Sequence, residues 1–464
     1  MLHPALADSP EDSVPIRLVT EENWAEISGG LDAMARAFAG ATGFDGKPGS
    51  LALLPGSDGA VTAVLFGIET GQDADPFAVA RLATALPKGL YRLSDLPAEP
   101  ALAALAFALG TYRFDRYRER PAKEIRLVLP EGVDGEEVSR ISQAVAMGRD
   151  LINTPANDLG PDGIEEAARR VAERHGAEIR VTVGDDLLDA NLPMIHAVGR
   201  AADRAPRLID ISWGEEGAPL IALVGKGVAF DTGGLDIKPS AAMLLMKKDM
   251  GGAAAALALA DMVMGAGLRL RLRLLIPAVE NAISGASFRP GDVLRSRKGL
   301  TIEVGNTDAE GRLILADALA LADEDAPELI VDFATLTGAA RVALGPELPP
   351  FYTHDDGLAE SVARLARDLR DPVWRLPLWQ PYAKMLESKI ADTNNVSSGG
   401  FAGSITAALF LARFVSNATA HLHFDIYGWN PSARPGRPEG GEVQAARLVY
   451  GLLRERYPAP DASR

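Results

Sequence analysis

Two short stretches of this 464-residue chain place charged side chains close together beside apolar segments. In "GNTDAEGRLILADAL", Asp308, Glu310 and Arg312 stand two residues apart, immediately before an apolar run with helical spacing. Because an extended segment points alternate side chains to one face, we predict that this segment is extended and presents the three charged groups on the same face. Acidic residues also stabilise an ordinary helix start, so these residues alone do not define a site.

The second stretch is "LVGKGVAFDTGGLDIKPSAAMLLMKKDMGG". It begins at the end of an apolar strand, and its charged residues include Lys226, Asp231, Lys238 and Asp249. Its glycines and first lysine resemble a phosphate-binding loop, but Gly227 follows Lys226 where that motif needs Ser or Thr. Isolated lysines are mostly surface residues. This stretch therefore defines no site by itself either.

The two stretches together indicate a metal site. Their four carboxylates, on Asp231, Asp249, Asp308 and Glu310, come from loops that follow apolar strands or precede helices. In an open α/β sheet such loops gather at one edge, where ligands bind. Carboxylates crowded there repel one another unless they are protonated or neutralised. Two divalent cations would balance a charge of about −4 and turn the repulsion into ligation.

Strand-like and helical runs alternate through the part of the chain that carries these residues. Apolar strands are predicted in "APLIALVGKGVAFDTGG", "RLRLRLLIPAVEN", "ELIVDFATLTGAA" and "AHLHFDIYGW". Helical runs at 251–266, 313–323 and 403–416 separate several of them. Such alternation implies an α/β fold with a mainly parallel central sheet flanked by helices, whose strand ends would bring the carboxylates together.

The length of the chain favours two domains. We predict a smaller N-terminal α/β domain over residues 1–134, a connecting helix over 135–152 that ends before Pro155, and a catalytic domain over 153–464. The N-terminal part contains short strand-like runs and the apolar helix "PALAALAFALGTYRF", and we find no catalytic motif in it.

Composition and charge argue against several classes of function. The 47 basic and 63 acidic residues give a formal charge of −16, so we do not expect nucleic acid as the main partner. The absence of cysteine excludes disulfides, thiolate metal sites and a cysteine nucleophile. Of six scattered histidines, only His421 and His423 are close together, and we expect them to pack or hydrogen-bond. No signal-peptide pattern or membrane-spanning run is evident, so we expect a cytoplasmic protein without a membrane partner.

Five longer segments carry a specific resemblance: "GKGVAFDTGGLDIKPS", "MKKDMGGAA", "PAVENAISGASFRPGDVL", "NTDAEGRLILADAL" and "DFATLTGAARVALG". They closely resemble the leucine aminopeptidase (cytosol aminopeptidase) family. The resemblance is dense from Asn153 to the C-terminus, and "NTDAEGRL" is its most specific part. It implies a two-metal aminopeptidase that removes the first residue from peptides with a free N-terminus, assembled as a homohexamer.

The resemblance also implies the metal ligands. Lys226, Asp231, Asp249 and Glu310 look like the ligands of one metal, and Asp231, Asp308 and Glu310 look like those of the other. Lysine ligates only as the neutral amine, so metal charge and burial would have to lower the pKa of Lys226 strongly. Two metals lower the pKa of a bridging water and polarise the scissile carbonyl, and one can take the free α-amino group. Zn²⁺, Mn²⁺ and Mg²⁺ suit such ligands.

Two further catalytic residues follow from the resemblance. Lys238 would face the substrate and, kept protonated, stabilise the developing oxyanion. Arg312 would hold a bicarbonate ion as the general base, because metal occupies the carboxylates of the motif. The family lines its substrate cleft at the positions of Met246, Asn306, Thr335, Leu336 and Gly338. For Met246 and Leu336, plain core packing explains the residue equally well.

The C-terminal region departs from the family pattern. Tyr427 stands where the family usually has a small residue, and Trp429 and "NPSARPGRPEGGEVQAARL" replace the usual stretch before the last helix. Because larger side chains there would reshape the pocket for the first substrate residue, we do not predict which residue is preferred. Two alternatives stay open: an architectural DNA-binding role, as in some relatives, and two-metal hydrolysis of another bond such as a phosphoester.

Overall fold

The chain folds into two compact units, each built around a β-sheet. One unit contains the residues up to Ala146 together with Ser432–Glu439, and the other contains Met147–Pro431 and the residues from Gly440 onward. The predicted boundaries at 134 and 152 stay a prediction. The computed structural model describes residues 2–71, 74–121 and 123–460.

A six-stranded sheet forms the centre of the N-terminal unit. Its strands are β1 (Leu6–Ala7), β2 (Val14–Val19), β3 (Leu51–Pro55), β4 (Val61–Gly67), β5 (Gly89–Leu93) and β6 (Ile125–Val128). They lie in the order β1-β6-β5-β2-β4-β3, and only β3 and β4 pair antiparallel. Its helices are α1 (Trp24–Gly30), α2 (Ala33–Ala41), α3 (Leu82–Ala85) and α4 (Pro100–Gly110).

Two helices of this region match their sequence patterns closely. Helix α4 starts at a proline, which suits the first helical turn, and every residue from Leu102 to Leu109 is buried. A helix that is apolar all round belongs in a core, as this one does. Helix α5 (Gly135–Asn153) covers the predicted connecting segment, and two glutamates in its first turn stabilise its N-terminus.

The second unit is built on a larger mixed sheet. Its strands are β7 (Glu178–Val183), β8 (Arg207–Trp213), β9 (Leu220–Gly225), β10 (Gly227–Asp231), β11 (Arg271–Asn281), β14 (Leu329–Ala334), β15 (Pro350–Tyr352), β16 (Trp374–Arg375) and β18 (Ala420–Asp425). The order is β16-β15-β18-β14-β9-β11-β8-β7, and β10 also pairs with β11. Strands β18, β14, β9 and β11 are parallel, whereas antiparallel pairs lie towards both edges. These pairs confirm the predicted α/β fold with a mainly parallel sheet. Its apolar strands, such as β9 and β14, are buried on both faces, as is usual in parallel sheets.

Smaller sheets and helices complete this unit. Strands β12 (Val293–Arg295), β13 (Thr301–Glu303) and β17 (Thr393–Asn394) form one sheet, and β19 (Trp429–Asn430) pairs with β20 (Gly440–Gly441). The helices are α6 (Pro161–His175), α7 (Asp186–Asp189), α8 (Pro193–Gly199), α9 (Ser240–Met243), α10 (Gly251–Gly265), α11 (Glu310–Asp323), α12 (Gly338–Leu344), α13 (Asp356–Asp368), α14 (Gly403–Ala412) and α15 (Ala446–Arg456). Short 3₁₀ helices lie at Pro76–Arg81, Met246–Met250 and Gln380–Leu386.

Helices α10 and α11 fix the central strands that carry the cleft residues. Helix α11 shares a hydrophobic core with α8, α14 and alternate residues of β9, namely Ala222 and Val224. Helix α10 packs on β9 and β14 as well as on α15. Every residue from Gly251 to Met264 is buried, including Asp261, which pairs with Arg174 and His175. In the ranges that the structure describes, no helix is both long and apolar enough to cross a membrane.

A buried carboxylate joins two histidines inside the central sheet. Asp332 on β14 lies 2.7 Å from His421 Nε2 and 2.6 Å from His423 Nδ1, both on the neighbouring strand β18. Burial opposes ionisation of Asp332, but the two histidines outweigh it and lower the pKa of this carboxyl to about 2. Burial works against the charge of His423, whereas Asp332 raises its pKa overall. The histidines therefore have the hydrogen-bonding role predicted for them.

Replacing Asp332 by asparagine is expected to reduce the free energy of unfolding by about 3–5 kcal/mol, because a buried ion pair loses one partner. The exposed Asp325, which pairs with Arg273, provides the matched control: Asp325→Asn should cost less than about 1 kcal/mol. Urea unfolding at neutral pH measures both. Equal losses in the two variants would contradict the structural role of Asp332.

The same pair predicts how stability changes with pH. Asp332 has its pKa lowered from 3.8, so its contribution is present above that value and is lost as the pH falls towards 2. His423 has its pKa raised from 6.5, so its contribution is present below 6.5 and is lost as the pH rises through the raised value. The difference in unfolding free energy between the native chain and Asp332→Asn should therefore shrink at both ends of this range.

Candidate functional site

Lys226 lies between β9 and β10, at the carboxyl end of the inner strand β9. Its buried Nζ lies 2.8 Å from Asp249 Oδ2 and 3.0 Å from Glu310 Oε1, and it donates a 3.0 Å hydrogen bond to the carbonyl of Thr335. A Cβ on Gly311 would lie 2.4 Å from Lys226 Cε. The absence of a side chain at Gly311 therefore allows Lys226 to pass the first turn of α11.

The protein groups around Lys226 favour its charged form. Burial opposes the charge, but Asp249, Glu310 and Asp231 outweigh it and raise the pKa of Lys226. Ligation by Lys226 would need a lowered pKa of its amine, and this lowering is expected only when a metal ion is bound. That expectation stays a prediction.

Lys238 pairs with the other carboxylates of the cluster. Its Nζ lies 2.8 Å from Asp231 Oδ2 and also contacts Asp308 Oδ1. Burial opposes its charge, while Asp231 and Glu310 outweigh burial and raise the pKa of Lys238. Asp231 ends β10 and accepts hydrogen bonds from Gly233 N (2.9 Å) and Asn281 Nδ2 (2.8 Å). Gly233 has φ +86°, a backbone conformation that glycine adopts readily in turns.

The segment from Gly305 to Arg312 is not a strand, so the prediction that an extended segment presents its three charged groups is wrong. Asp308 lies in a turn in which its own N–H donates to Asn306 Oδ1 (2.6 Å), and α11 begins at Glu310. Short polar side chains compete with strand pairing for backbone hydrogen bonds, which is why the chain turns here. The turn holds Asp308, and the first helical turn holds Glu310 and Arg312.

The carboxylates of this cluster fit a divalent cation. Ligand oxygens of Asp231, Asp308 and Glu310 all lie within 4.8 Å of one another. Glu310 is 1% exposed, and its Oε2 has no hydrogen-bond partner among the described residues. Burial and then Asp231 raise the pKa of Glu310 to about 8 and that of the half-buried Asp308 to about 6. Crowded, desolvated oxygens with unused lone pairs are the donors that such cations bind.

Asp249 and Arg312 complete the cluster from two other directions. Thr335 Oγ1 donates to Asp249 Oδ1 (2.8 Å) and so orients this buried carboxylate. Burial opposes ionisation of Asp249, but Lys226 outweighs it and the pKa is lowered. Arg312 is buried, donates from Nη1 to the carbonyl of Asn395 (2.7 Å), and has its pKa lowered by burial to about 10.

One cavity of about 770 Å³ brings the predicted residues together. Glu310 lies buried beside it, in contact with Lys226. The other predicted residues line the cavity: Lys226, Asp231, Lys238, Met246, Asp249, Asn306, Asp308, Arg312, Thr335, Leu336 and Gly338. Tyr427, which departs from the family pattern, also lines the cavity. Trp429 lies elsewhere, with the centre of its ring 5.5 Å from Lys247 Nζ.

Sequence reasoning missed two residues that hold this cavity in shape, Asp425 and Asn395. Asp425 accepts hydrogen bonds from the backbone N–H groups of Leu336 and Thr337 and from the hydroxyls of Thr337 and Ser404. It thereby fixes the loop after β14. An aspartate at the end of the apolar run "HLHFD" was the signal that could have identified it. Asn395 has no such signal, because its partners lie far away in sequence.

The class of this protein follows from comparison of the whole chain with known proteins: it is a peptidase. A family model described as "Cytosol aminopeptidase family, catalytic domain" matches residues 146–450. A second, described as "M17 aminopeptidase, N-terminal domain", matches residues 14–130, where sequence reasoning had found no motif. The chain belongs to the cytosol aminopeptidase family, which confirms the resemblance, and it is a peptide hydrolase of the aminopeptidase type.

Individual relatives agree with this assignment. A probable cytosol aminopeptidase of Geobacter sp. (strain M21) is 38% identical over 379 residues, covering 78% of this chain and 77% of the relative. The crystal structure of cytosol aminopeptidase from Coxiella burnetii is 45% identical, with a TM-score of 0.93 over 97% of this chain and 99% of that one. The bottromycin maturation enzyme BotP in complex with Mn is 34% identical, with a TM-score of 0.87 over 96% and 99%.

Proposed function

We propose that this aminopeptidase works with two divalent cations held by Lys226, Asp231, Asp249, Asp308 and Glu310. The observation that carries the proposal is the convergence of carboxylate oxygens from Asp231, Asp308 and Glu310 within 4.8 Å, one of them buried and unpartnered among the described residues. Metal dependence is general for the family. When bound, two such ions lower the pKa of a water between them and polarise the scissile carbonyl.

The identity of the ions is part of the proposal. Carboxylate-rich donors suit Mn²⁺, Zn²⁺ and Mg²⁺, and the affinity order places Zn²⁺ above Mn²⁺ at equal availability. Mn²⁺ is supported by the relative BotP, whose structure contains Mn. We therefore propose Mn²⁺ or Zn²⁺ at both positions, with Mg²⁺ as a weaker third.

Lys238 and Arg312 are proposed as the catalytic residues that touch substrate and base. The ammonium of Lys238, kept charged by Asp231, would donate a hydrogen bond to the carbonyl oxygen of the scissile bond as negative charge develops there. Arg312 lines the cavity, and its guanidinium has N–H donors in the fork geometry that binds a planar oxyanion. A bicarbonate ion held there would supply the general base.

The lining residues of the cavity are proposed to bind peptide. Asn306, Thr335 and Gly338 offer polar or unobstructed surface beside the carboxylate cluster. Met246 and Leu336 are half-buried, and Leu336 packs on the same core as α11, so part of each side chain serves packing. The substrates proposed are peptides with a free N-terminus.

A panel of substrates tests this function directly. With Mn²⁺ added, the protein is expected to hydrolyse leucine p-nitroanilide, because aminopeptidases need the free amine that this compound carries. N-acetyl-leucine p-nitroanilide and p-nitrophenyl phosphate should remain intact under the same conditions. Release of nitrophenol from the phosphoester with no release of nitroaniline would contradict the proposal and favour a phosphoesterase.

We further propose a homohexamer located in the cytoplasm. The relatives carry the name cytosol aminopeptidase. Leu244, Val342 and Phe401 are each more than four-fifths exposed, and exposed large apolar side chains often mark contacts between subunits. The molar mass in solution, measured by light scattering, tests the assembly.

A further inference from the structure

One wall of the catalytic cavity carries two cationic side chains around a tyrosine ring. Lys248 Nζ lies 4.9 Å from the centre of the Tyr427 ring, and Arg341 Cζ lies 5.3 Å from it. Arg341 Nη1 also donates to Tyr427 Oη at 3.4 Å. All three residues line the same cavity as Asp231 and Asp249. We call Lys248, Arg341 and Tyr427 the cationic wall.

Three separate elements hold the cationic wall in place. Lys248 belongs to the 3₁₀ helix Met246–Met250, and Arg341 lies on α12. Tyr427 follows β18, and its backbone N–H donates to Gln444 Oε1 (2.9 Å). Because each residue is fixed by its own element, the two cations are presented to the cavity in a defined arrangement.

The positive charge of this wall is not neutralised within the protein. Lys248 is only 6% exposed, yet in the part of the chain that the structure describes neither Lys248 nor Arg341 has a carboxylate within ion-pair distance. The nearest acidic residue in sequence, Asp249, is engaged with Lys226 and Thr335. Lysine is almost never buried without a partner. The face of an aromatic ring compensates a cation less than a charge-assisted hydrogen bond does.

We propose that Lys248 and Arg341 bind a carboxylate of the substrate, and that the enzyme therefore prefers peptides whose first residue is Asp or Glu. The inference rests on the proposed aminopeptidase function. Lys248 immediately precedes Asp249 of the carboxylate cluster, and the wall lines the same cavity as that cluster, where the first side chain of a peptide would lie. A dipeptide's terminal carboxylate has the same chemistry and is the competing source.

Glutamate and glutamine p-nitroanilides test the charge alone, because their side chains have nearly the same shape. With the metal-loaded enzyme, kcat/KM for the glutamate substrate should exceed that for the glutamine substrate by about tenfold or more, the size expected for a hydrogen bond between charged groups. Lys248→Met and Arg341→Gln should each reduce this ratio by about tenfold. The exposed Lys389 lies outside the cavity lining, so Lys389→Met removes one charge and should leave the ratio unchanged.

Arg341 is exposed, so Arg341→Gln decides the question if Lys248→Met does not fold. A glutamate-to-glutamine ratio at or below one in the native enzyme, or a ratio that neither variant changes, would overturn the inference. So would a preference for Leu-Gly over Leu-Gly amide that Lys248→Met abolishes, since it would assign the wall to the terminal carboxylate. If no anilide at all is cleaved, the aminopeptidase proposal fails first, whereas hydrolysis without acidic preference overturns this inference alone.

Discussion

Glu310→Ala is expected to lose bound metal and peptidase activity together. Glu310 contributes a buried carboxylate whose oxygens lie beside Lys226 and cluster with those of Asp231 and Asp308. Its loss removes one of three close carboxylates, and metal stabilisation of the transition state is worth several kcal/mol. We expect kcat/KM to fall by about a thousandfold or more, with metal content per subunit reduced. Metal analysis and anilide hydrolysis on the same preparation measure both.

The control for this prediction is Glu324→Ala. Glu324 follows the C-terminal end of the same helix, where it pairs with Arg297 outside the cavity. The substitution is chemically identical, so metal content and turnover should stay close to those of the native enzyme. Normal metal content and normal turnover in Glu310→Ala would show that this carboxylate is not a ligand.

Lys238→Ala is expected to separate catalysis from metal binding. The ammonium of Lys238 contacts Asp231 and Asp308, so its removal leaves more negative charge for cations and should not weaken their binding. The variant loses the donor proposed for the developing oxyanion, and such a loss typically lowers kcat by about a hundredfold to a thousandfold. Metal analysis should show undiminished content while anilide hydrolysis falls.

Lys298→Ala is the matched variant for that experiment. Lys298 is exposed and donates to the carbonyl of Arg413 and to Ser416, outside the cavity. It should retain both metal and activity. Turnover at the native rate in Lys238→Ala would show that the assigned role of Lys238 is wrong.

The central strands and their flanking helices could be predicted from the sequence because local patterns determine them. β14 is buried throughout and β9 is buried from Ile221 onward, as continuous apolar strands of a parallel sheet should be. The run 251–266 forms α10 within a residue of its predicted end. Helix α11 starts three residues before the predicted 313, and α14 ends at Ala412 instead of 416. The ends of a helix are harder to predict than its middle, because the ends depend on turn geometry whereas the middle shows in the spacing of apolar residues.

The geometry of the cluster was less predictable, since contacts between distant segments create it. The turn before Glu310 depends partly on Asn395, whose Oδ1 accepts from Gly305 N at 2.8 Å across 90 residues of sequence. Nothing local to "GNTDAEGRL" shows that partner, so the sequence alone predicts an extended segment. The motif still selected residues that the structure brings together, because the identity of a side chain does not depend on the backbone conformation predicted for it.

The departure at Tyr427 shows the same limit from another side. The sequence indicated a larger residue at the pocket, and the structure places Tyr427 in the cavity. Its neighbours Lys248 and Arg341 come from two other elements, so neither their convergence nor the resulting charge is visible in a local pattern. The preference proposed for the first substrate residue therefore depends on contacts that only the fold creates.

Metal titration of the chelated enzyme tests the two-metal account most directly. The protein is stripped of metal, and Mn²⁺ is added back while bound metal and leucine p-nitroanilide hydrolysis are measured on the same samples. The account predicts no activity in the stripped protein, with activity rising as occupancy approaches two ions per subunit. Full activity without metal, or two bound ions with no amide hydrolysis, would contradict it.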